Sequence, residues 1–371
     1  MDKFLQKTKE LLERADITIN GNRKHDIQVH NNQFYSRIFA EGTLGVGESY
    51  MEGWWDCEAL DEFFYRVHKA QLEHHIRTFR DIGTVLAASV TNLQKPSRAF
   101  TIGEHHYDIG DDLYEIMLDK RMVYSCGYWK NTRSLNKAQE NKLDLAFRKL
   151  GLKKGMTVLD IGCGWGGALQ YAAEKYGVEG VGITVSRNQA EKAKQVCRNL
   201  PIEIRLEDYR NLHGKFDRIW SIGMIEHVGV KNYRTFMKVA HRCLKPDGLF
   251  LLHTIGGNRS VVKTDPWINK YIFPNSMIPS VRQLGLSWED LFVMEDWHNF
   301  GINYVKTLLQ WHKNVFQNRN RLSERYRERF FRMWRFYLLS SAGAFRARKL
   351  NLWQIVLSPG GVPGGYESIR D

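Results

Sequence analysis

Val158-Leu-Asp-Ile-Gly-Cys-Gly-Trp-Gly-Gly167 is the stretch of sequence that decides the fold of this chain. An apolar run ends in Asp160 and continues into glycines at positions 162, 164, 166 and 167, after which a helical pattern begins. Glycine allows a tight turn and a close approach of the backbone to a ligand, and the N-terminus of the following helix presents free N–H groups to an anion. The stretch therefore predicts a cofactor loop between a strand and a helix of a Rossmann-like sheet.

Short apolar runs alternate with helical stretches around this loop, which is typical of a parallel sheet with helical crossovers. The predicted strands cover 157–161, 180–185, 202–207, 216–222 and 248–254, and the predicted helices cover 168–176, 187–199 and 233–244. Residues 1–90 show apolar positions at helical spacing, and the polar run 91–98 is typical of a linker, which we predict over 91–108. We predict an α/β fold with helices on both faces of the sheet over 109–371, and a smaller, mainly helical N-terminal domain over 1–90.

Charge and cysteine content narrow the class of protein. The 371 residues include 54 Lys and Arg against 41 Asp and Glu, a formal net charge of +13, which favours a polyanion such as nucleic acid or an anionic membrane. The five cysteines show neither metal-ligand nor disulfide spacing, which is typical of reduced thiols in a cytoplasm. Since the sequence shows no signal peptide and no membrane-spanning window, we expect any membrane contact to be peripheral.

The cofactor predicted for the glycine loop is S-adenosylmethionine, whose methionine carboxylate is the anion. A Gly-x-Gly pattern also fits a nicotinamide dinucleotide, or glycines that merely end a strand. Two features favour S-adenosylmethionine: the strand continues directly into Asp-x-Gly-x-Gly-x-Gly, and the second strand ends in Thr184 and Ser186 where a dinucleotide site needs an acid for the ribose. Many methyltransferases also carry that acid, so Gln189 is the candidate ribose partner here.

Six segments, taken in order, resemble the cyclopropane-fatty-acyl-phospholipid synthase family over nearly the whole chain. They are Tyr124-Ser-Cys-Gly-Tyr-Trp129, the glycine loop, Gly182-Ile-Thr-Val-Ser186 with Gln189, Gly223-Met-Ile-Glu-His-Val-Gly229, Leu252-His-Thr-Ile-Gly256, and Asn303-Tyr-Val-Lys-Thr-Leu-Leu-Gln-Trp311. The resemblance implies a class I S-adenosylmethionine-dependent methyltransferase domain. It also implies transfer of a methylene to a cis double bond of an unsaturated acyl chain in a membrane phospholipid, through a carbocation.

The resemblance further implies a bound bicarbonate as the base that takes the proton from the new methyl group. Its ligands would be the side chains of Cys126, Glu226, His253 and Tyr304 and the backbone of Ile255. His227 is left outside the predicted site. The predicted cofactor-binding residues, of which Glu207 and Asp208 belong near the adenine, are Tyr124, Ser125, Asp160, Gly162, Gly164, Gly166, Thr184, Gln189, Glu207 and Asp208.

Residues 313–349 interleave nine arginines with aromatic residues, among them Phe330, Phe331, Trp334, Phe336 and Tyr337, and only Glu324 and Glu328 oppose this charge. A basic, aromatic amphipathic helix suits an anionic lipid surface, and equally a core-packed helix with a solvated basic face. We hypothesise that this helix and the N-terminal domain engage lipid, so that the protein is cytoplasmic and peripherally bound to the inner face of the cell membrane. Whether the chain forms a homodimer stays open.

Parts of the sequence are also compatible with four other functions. A related enzyme could let water trap the carbocation and give a hydroxylated or simply methylated chain. A small-molecule methyltransferase would share Gly-Met-x-Glu-His-Val but leave the N-terminal domain and Cys126 unexplained. The positive net charge is also compatible with nucleic-acid binding. Since the sequence shows no RNA-binding motif, no nucleic-acid partner is predicted. A non-catalytic lipid-binding scaffold would not need the cofactor loop.

Overall fold

The computed structural model describes residues 3–72 and 110–371. A seven-stranded sheet carries the glycine loop, and its strands lie in the order β5-β4-β3-β6-β7-β9-β8. In chain order these strands are β3 (Thr157–Ile161), β4 (Glu179–Thr184), β5 (Ile202–Leu206), β6 (Phe216–Ile222), β7 (Leu244–Gly257), β8 (Val293–Asn299) and β9 (Leu350–Ser358). Strands β3 to β7 pair in parallel, whereas β8 and β9 pair antiparallel. The five predicted strands and the α/β fold are confirmed, and β8 and β9 extend the sheet beyond the prediction.

Apolar side chains cover both faces of this sheet. Successive residues of a strand point to opposite faces, and Val158 and Leu159 of β3 accordingly join two separate hydrophobic clusters. The helices of this part of the chain are α5 (Asp111–Met117), α6 (Leu135–Lys149), α7 (Gly167–Tyr176), α8 (Arg187–Cys197), α9 (Tyr233–Cys243) and α11 (Val281–Trp288). Helices α6, α7 and α8 supply one cluster, and α9 and α11 the other. The predicted helices on both faces are therefore present, with bounds that differ by one or two residues.

The chain separates into two compact units, and the division is not a single cut along the sequence. One unit holds the sheet and consists of residues 110–261, Asn275–Asn303 and Asn351–Asp371. The other joins residues 3–72 to Val262–Pro274 and Tyr304–Leu350. The predicted split into 1–90 and 109–371 differs from this, because two later segments pack with the N-terminal helices. The predicted linker 91–108 lies outside the described residues.

Helical packing explains the composition of the second unit. It contains α1 (Lys3–Glu13), α2 (Gln33–Glu41), α3 (Thr43–Met51), α4 (Leu60–Lys69), α10 (Pro266–Tyr271), α12 (Asn303–Gln317, from Tyr304 onward), α13 (Arg319–Leu322), α14 (Glu328–Arg346) and the antiparallel pair β1 (Gln28–Val29) and β2 (Trp55–Asp56). Helices α14 and α4 approach closely at Gly343, where an added Cβ would lie 2.6 Å from Phe64 Cβ. A larger residue at Gly343 would therefore force the two helices apart.

Two arginines of α14 stabilise this unit by donating to backbone carbonyl groups. The Arg332 guanidinium donates to the Tyr50 and Trp55 carbonyls, at 2.5 and 2.9 Å, and Arg335 donates to the Glu58 carbonyl at 2.8 Å. These two arginines of the predicted lipid-binding helix are thus engaged inside the unit, as expected for the core-packed alternative. No helix within residues 3–72 and 110–371 is both long and apolar enough to cross a membrane.

Candidate active site

A cavity of about 180 Å³ opens beside the carboxyl ends of β3, β4, β5 and β6. Nine of the ten predicted cofactor-binding residues line it, namely Tyr124, Ser125, Asp160, Gly162, Gly164, Thr184, Gln189, Glu207 and Asp208. Ligands of open α/β sheets bind at this edge, since the loops that follow parallel strands converge there. The structure thus gathers these residues from four loops of the chain into one wall.

The glycine loop needs its glycines for two different reasons. Gly162 and Gly164 adopt positive φ values of 93° and 53°, which residues with a Cβ rarely adopt. Gly166, the tenth predicted residue, does not line the cavity; an added Cβ there would lie 3.1 Å from Ala193 Cβ, so it allows α7 and α8 to pack closely. At Gly167 an added Cβ would lie 2.0 Å from the Arg121 carbonyl oxygen, which places the chain around Arg121 against the first turn of α7.

Thr184 and Gln189 form a pair at the end of β4. The Thr184 hydroxyl donates to Gln189 Oε1 at 2.8 Å, and both side chains are buried. Ser186 begins α8 and accepts from the backbone N–H of Gln189 at 3.4 Å, which fixes the start of the helix beneath the cavity. With its oxygen already accepting, the Gln189 amide offers N–H groups to a ligand.

Polar contacts at the end of β5 distinguish the two predicted acids there. Asp208 accepts from the backbone N–H of Arg210 at 2.9 Å and from its guanidinium at 2.8 Å. The same guanidinium lies 4.8 Å from the centre of the Tyr209 ring. Asp208 is therefore engaged in shaping the loop, whereas Glu207, which is half-buried, is the acid at the open part of the wall.

Helix α6 holds the segment that contains Tyr124, Ser125 and Cys126. The Gln139 amide donates to the Ser125 carbonyl at 2.7 Å, and the Lys142 ammonium donates to the Ser125 hydroxyl oxygen at 2.8 Å. The Cys126 side chain is fully buried, with Sγ 3.2 Å from the Gly127 carbonyl oxygen. A rigid helix thus fixes the position of this cavity wall.

Glu226, His253 and Ile255 lie behind the carboxyl ends of β6 and β7. Glu226 Oε1 accepts from the backbone N–H of Ile255 at 2.7 Å. None of the described residues is a hydrogen-bond partner of Glu226 Oε2, although this atom is buried. Burial raises the pKa of Glu226 to about 7, because the charged form loses its hydration.

His253 offers a second buried polar atom. Its Nδ1 lies 3.4 Å from the Gln354 amide nitrogen, whereas the described residues provide no partner for Nε2. Burial lowers the pKa of His253 well below its usual value, so the imidazole is neutral. A neutral imidazole and a half-engaged carboxyl group can together accept or donate hydrogen bonds to a small polar ligand.

Tyr304 lies in the helical unit, on α12. Its ring is buried and stacked on Phe345 of α14, with 4.4 Å between the ring centres. The structure therefore brings Cys126, Glu226, His253 and Ile255 into the unit with the sheet and describes Tyr304 in the other unit.

Sequence reasoning missed several residues of this site. His227 and Met224 line the cavity, and an added Cβ at Gly162 would lie 2.8 Å from Met224 Cγ. The signal for both was their place directly after β6, where the prediction used only Glu226. Lys142 was also missed, although it lies four residues from Ala138 and from Ala146 on the apolar face of α6.

Fold, cavity and the family comparisons together identify an S-adenosylmethionine-dependent methyltransferase. The structure of coclaurine N-methyltransferase shares the fold at 22% identity, with a TM-score of 0.69 over 84% of this chain and 98% of that one. The family model described as mycolic acid cyclopropane synthetase matches residues 94–355. The chain belongs to this family.

Individual relatives agree with this assignment. The cyclopropane-fatty-acyl-phospholipid synthase of Escherichia coli K12 is 51% identical over 360 residues, which are 97% of this chain and 94% of that protein. The structure of the cyclopropane synthase MmaA2 from Mycobacterium tuberculosis has a TM-score of 0.67 at 30% identity and covers 72% of this chain and 99% of its own. The mycolic acid cyclopropane synthase CmaA1, complexed with S-adenosylhomocysteine and CTAB, has a TM-score of 0.65 at 33% identity and covers 70% and 97%.

Proposed function

We propose that this methyltransferase converts a cis double bond of an unsaturated acyl chain in a membrane phospholipid into a cyclopropane ring. The observation that carries the proposal is Glu226, whose carboxyl group is buried beside the cofactor wall with one oxygen fixed by Ile255 and the other without a partner among the described residues. The 51% identity to the Escherichia coli cyclopropane-fatty-acyl-phospholipid synthase supports the same substrate class.

The cavity fits S-adenosylmethionine. The glycines leave room for a ligand against the backbone, Gln189 would bind the ribose, and Glu207 with Asp208 would border the adenine. Asp160 Oδ1 is buried without a partner among the described residues, and it suits the ammonium of the methionine part. When bound, S-adenosylmethionine supplies an electrophilic methyl group on sulfur.

Ring formation needs two events at the acyl chain. The double bond would attack the methyl carbon that S-adenosylmethionine supplies, with S-adenosylhomocysteine as the leaving group, which would leave a carbocation on the other alkene carbon of the acyl chain. Loss of a proton from the new methyl group then frees the electron pair that closes the ring. The residues of this chain must therefore hold the acyl chain close to the methyl group, exclude water and provide a path for one proton.

Glu226, His253 and Cys126 are the side chains that would hold bicarbonate as the proton acceptor, and the backbone of Ile255, whose N–H donates to Glu226 Oε1, would contribute through that carboxyl group. The unpartnered atoms Glu226 Oε2 and His253 Nε2 fit a small polar anion, provided that the Glu226 carboxyl group is protonated and donates. The raised pKa of Glu226, which follows from its burial, makes that form available near neutral pH. Tyr304, on α12, is the remaining candidate ligand.

The helical unit is the part of the chain that we expect at the lipid surface. Although Arg332 and Arg335 are engaged in packing, four basic side chains are exposed between α13 and the start of α14: Arg321, Arg325, Arg327 and Arg329. Guanidinium groups bind lipid phosphates, and a cluster of four provides a substantial attraction to an anionic leaflet. These exposed arginines suit a peripheral enzyme at the cytoplasmic face of the membrane.

Product analysis tests the reaction. The full chain is incubated with vesicles of unsaturated phospholipid and S-adenosylmethionine, and the fatty acids are analysed by mass. Wild type is expected to add one CH2 without leaving a double bond, and Glu226→Ala is expected to lose most of this activity. A hydroxylated product, or a methylated chain that keeps its double bond, would refute cyclopropane formation. Failure of wild type to bind S-adenosylhomocysteine in calorimetry would refute the methyltransferase assignment itself.

Vesicle sedimentation tests the lipid contact. Replacement of the four exposed arginines by Gln should abolish the extra binding to anionic over neutral vesicles at low salt. The control replaces four exposed basic residues of the other unit, Lys153, Lys154, Lys194 and Arg198, by Gln and changes the net charge equally. Equal losses in both variants would mean that net charge, and not this cluster, drives binding.

A further inference from the structure

Lys142 is a buried lysine that the reaction described above does not use. Its side chain projects from α6 with no exposed surface, between the buried apolar positions Ala138 and Ala146 and next to buried Gln139. Among the described residues its ammonium has one hydrogen-bonding partner, the Ser125 hydroxyl oxygen at 2.8 Å. An ammonium in such a place loses its hydration, which costs free energy that a single hydrogen bond to a neutral hydroxyl returns only in part. Lys142 therefore calls for an explanation beyond packing.

The hydrogen bond from Lys142 determines whether the Ser125 hydroxyl donates or accepts towards the cavity. An ammonium has no lone pair and can only donate, so the Ser125 oxygen must be the acceptor. The Ser125 proton is then left as a donor, and Ser125 lines the cavity wall. A serine hydroxyl whose oxygen accepts from an ammonium, and whose own proton is directed to the cavity, is suited to donate to an anion.

The position of Ser125 identifies the part of the ligand that it meets. The chain around Arg121 rests against the first turn of α7, as the 2.0 Å approach at Gly167 shows, and Ser125 follows four residues later. The N-terminus of α7 is the end of the helix that favours negative charge. Asp119 keeps the turn compact by accepting from the backbone N–H groups of Arg121 and Val123, at 3.0 and 2.9 Å. Gly167, in that first turn of α7, and Ser125 both line the cavity, so the Ser125 donor and the helix N-terminus face the same ligand.

We propose that Lys142 is a positioning residue that acts through Ser125 to select the carboxylate of the methionine part of the cofactor. The proposal rests on the proposed binding of S-adenosylmethionine in this cavity and names the residues that recognise one end of it. Asp160, whose Oδ1 lacks a partner among the described residues, would accept from the ammonium of the same amino acid. Burial raises the pKa of the Asp160 carboxyl group to about 7, and the positive charge of that ammonium would favour its ionised form. Burial lowers the pKa of Lys142 to about 8, and the carboxylates of Asp119 and Asp160 oppose that change, so the ammonium form still predominates at pH 7.

A comparison of two ligands distinguishes a loss of carboxylate recognition from a general loss of cofactor binding. S-adenosylhomocysteine carries the amino acid part, whereas 5′-methylthioadenosine keeps the adenosine and lacks it. Calorimetry on the full chain gives the ratio of their dissociation constants for wild type, Lys142→Met and Ser125→Ala. Lys142→Met is expected to weaken S-adenosylhomocysteine by about 10- to 100-fold, the range of a hydrogen bond to a charged group, and to leave 5′-methylthioadenosine almost unchanged.

A double-mutant cycle tests the path through Ser125. If Lys142 acts through that hydroxyl, Lys142→Met should have little further effect on the ratio in the Ser125→Ala background. Lys142→Gln keeps an N–H donor without the charge and should lose less than Lys142→Met, and it serves as the second variant if the methionine variant does not fold. Equal weakening of both ligands, or an unchanged ratio, would overturn the proposal while leaving the methyltransferase assignment intact. If wild type binds neither ligand, the result refutes the proposed function, and the proposal for Lys142, which rests on it, is refuted as well.

Discussion

Replacement of Glu226 by Gln should make the protein more stable at neutral pH, although it impairs the site. Burial raises the pKa of this carboxyl group from 4.5 to about 7. Between those two values the folded chain retains a proton that the unfolded chain releases, so the contribution of Glu226 to the free energy of unfolding falls as pH rises. A tenfold change in an ionisation constant corresponds to about 1.4 kcal/mol, so the total fall is about 3 kcal/mol. Gln is neutral at every pH and still accepts from the Ile255 N–H.

Urea denaturation in bicarbonate-free buffer from pH 4.5 to 8 measures the effect. The free energy of unfolding of Glu226→Gln minus that of wild type should be near zero at pH 4.5 and reach about 3 kcal/mol above pH 7. Other titrating groups, including buried Asp160, are present in both proteins and cancel in the difference. Glu13→Gln, at an exposed position, is the control for loss of a carboxylate. A difference that does not change with pH would refute the argument that burial keeps Glu226 protonated.

Three further substitutions test other parts of the structure. Asp296→Ala leaves the fully buried Lys149 ammonium without the carboxylate that lies 3.5 Å away. Urea denaturation should show that the free energy of unfolding falls by about 3–5 kcal/mol, and the additional substitution Lys149→Met should restore part of it. Gly167→Ala drives a Cβ to 2.0 Å from the Arg121 carbonyl and should weaken S-adenosylhomocysteine binding at least about tenfold, whereas Gly285→Ala in α11, with open space around it, should not. Arg335→Met removes the donor to the Glu58 carbonyl and should cost about 1–3 kcal/mol in urea denaturation, against about 0.5 kcal/mol or less for exposed Arg321→Met.

Local patterns were enough to predict the parallel core of the sheet. Strands β3, β4, β5 and β6 are short apolar runs next to turn residues, and the predicted bounds differ from the observed ones by no more than one residue. Strand β7 extends from residue 244, four residues before its predicted start, because the backbone of Lys245-Pro-Asp-Gly248 continues in extended form where the sequence predicts only a turn. Strand β8 escaped prediction because Glu295 and Asp296 interrupt its apolar pattern. Asp296 is tolerated there because Lys149 and Arg370 bind it.

Packing across long sequence separations could not be predicted in this way. Helix α14 reads as amphipathic from its sequence, and nothing within it shows that Arg332 and Arg335 reach the carbonyl groups of residues 50–58. The sequence of Val262–Pro274 likewise does not show that this segment packs in the helical unit, although the residues before and after it belong to the unit that holds the sheet. Such partners are determined by tertiary contacts that local periodicity does not encode.

The distribution of unpartnered polar atoms supports the position of the site better than any single motif does. A buried polar atom without a hydrogen bond costs about 1–3 kcal/mol, so a stable fold tolerates few of them. Among the described residues, those at the carboxyl edge of the sheet include Asp160 Oδ1, Tyr209 Oη, Glu226 Oε2 and His253 Nε2. Asp160 lies at the end of β3, Tyr209 and Glu226 follow β5 and β6, and His253 of β7 is paired with Ile222, the last residue of β6. Since a bound ligand can satisfy these atoms and the described residues do not, we expect binding of S-adenosylhomocysteine and bicarbonate together to raise the unfolding temperature more than either alone.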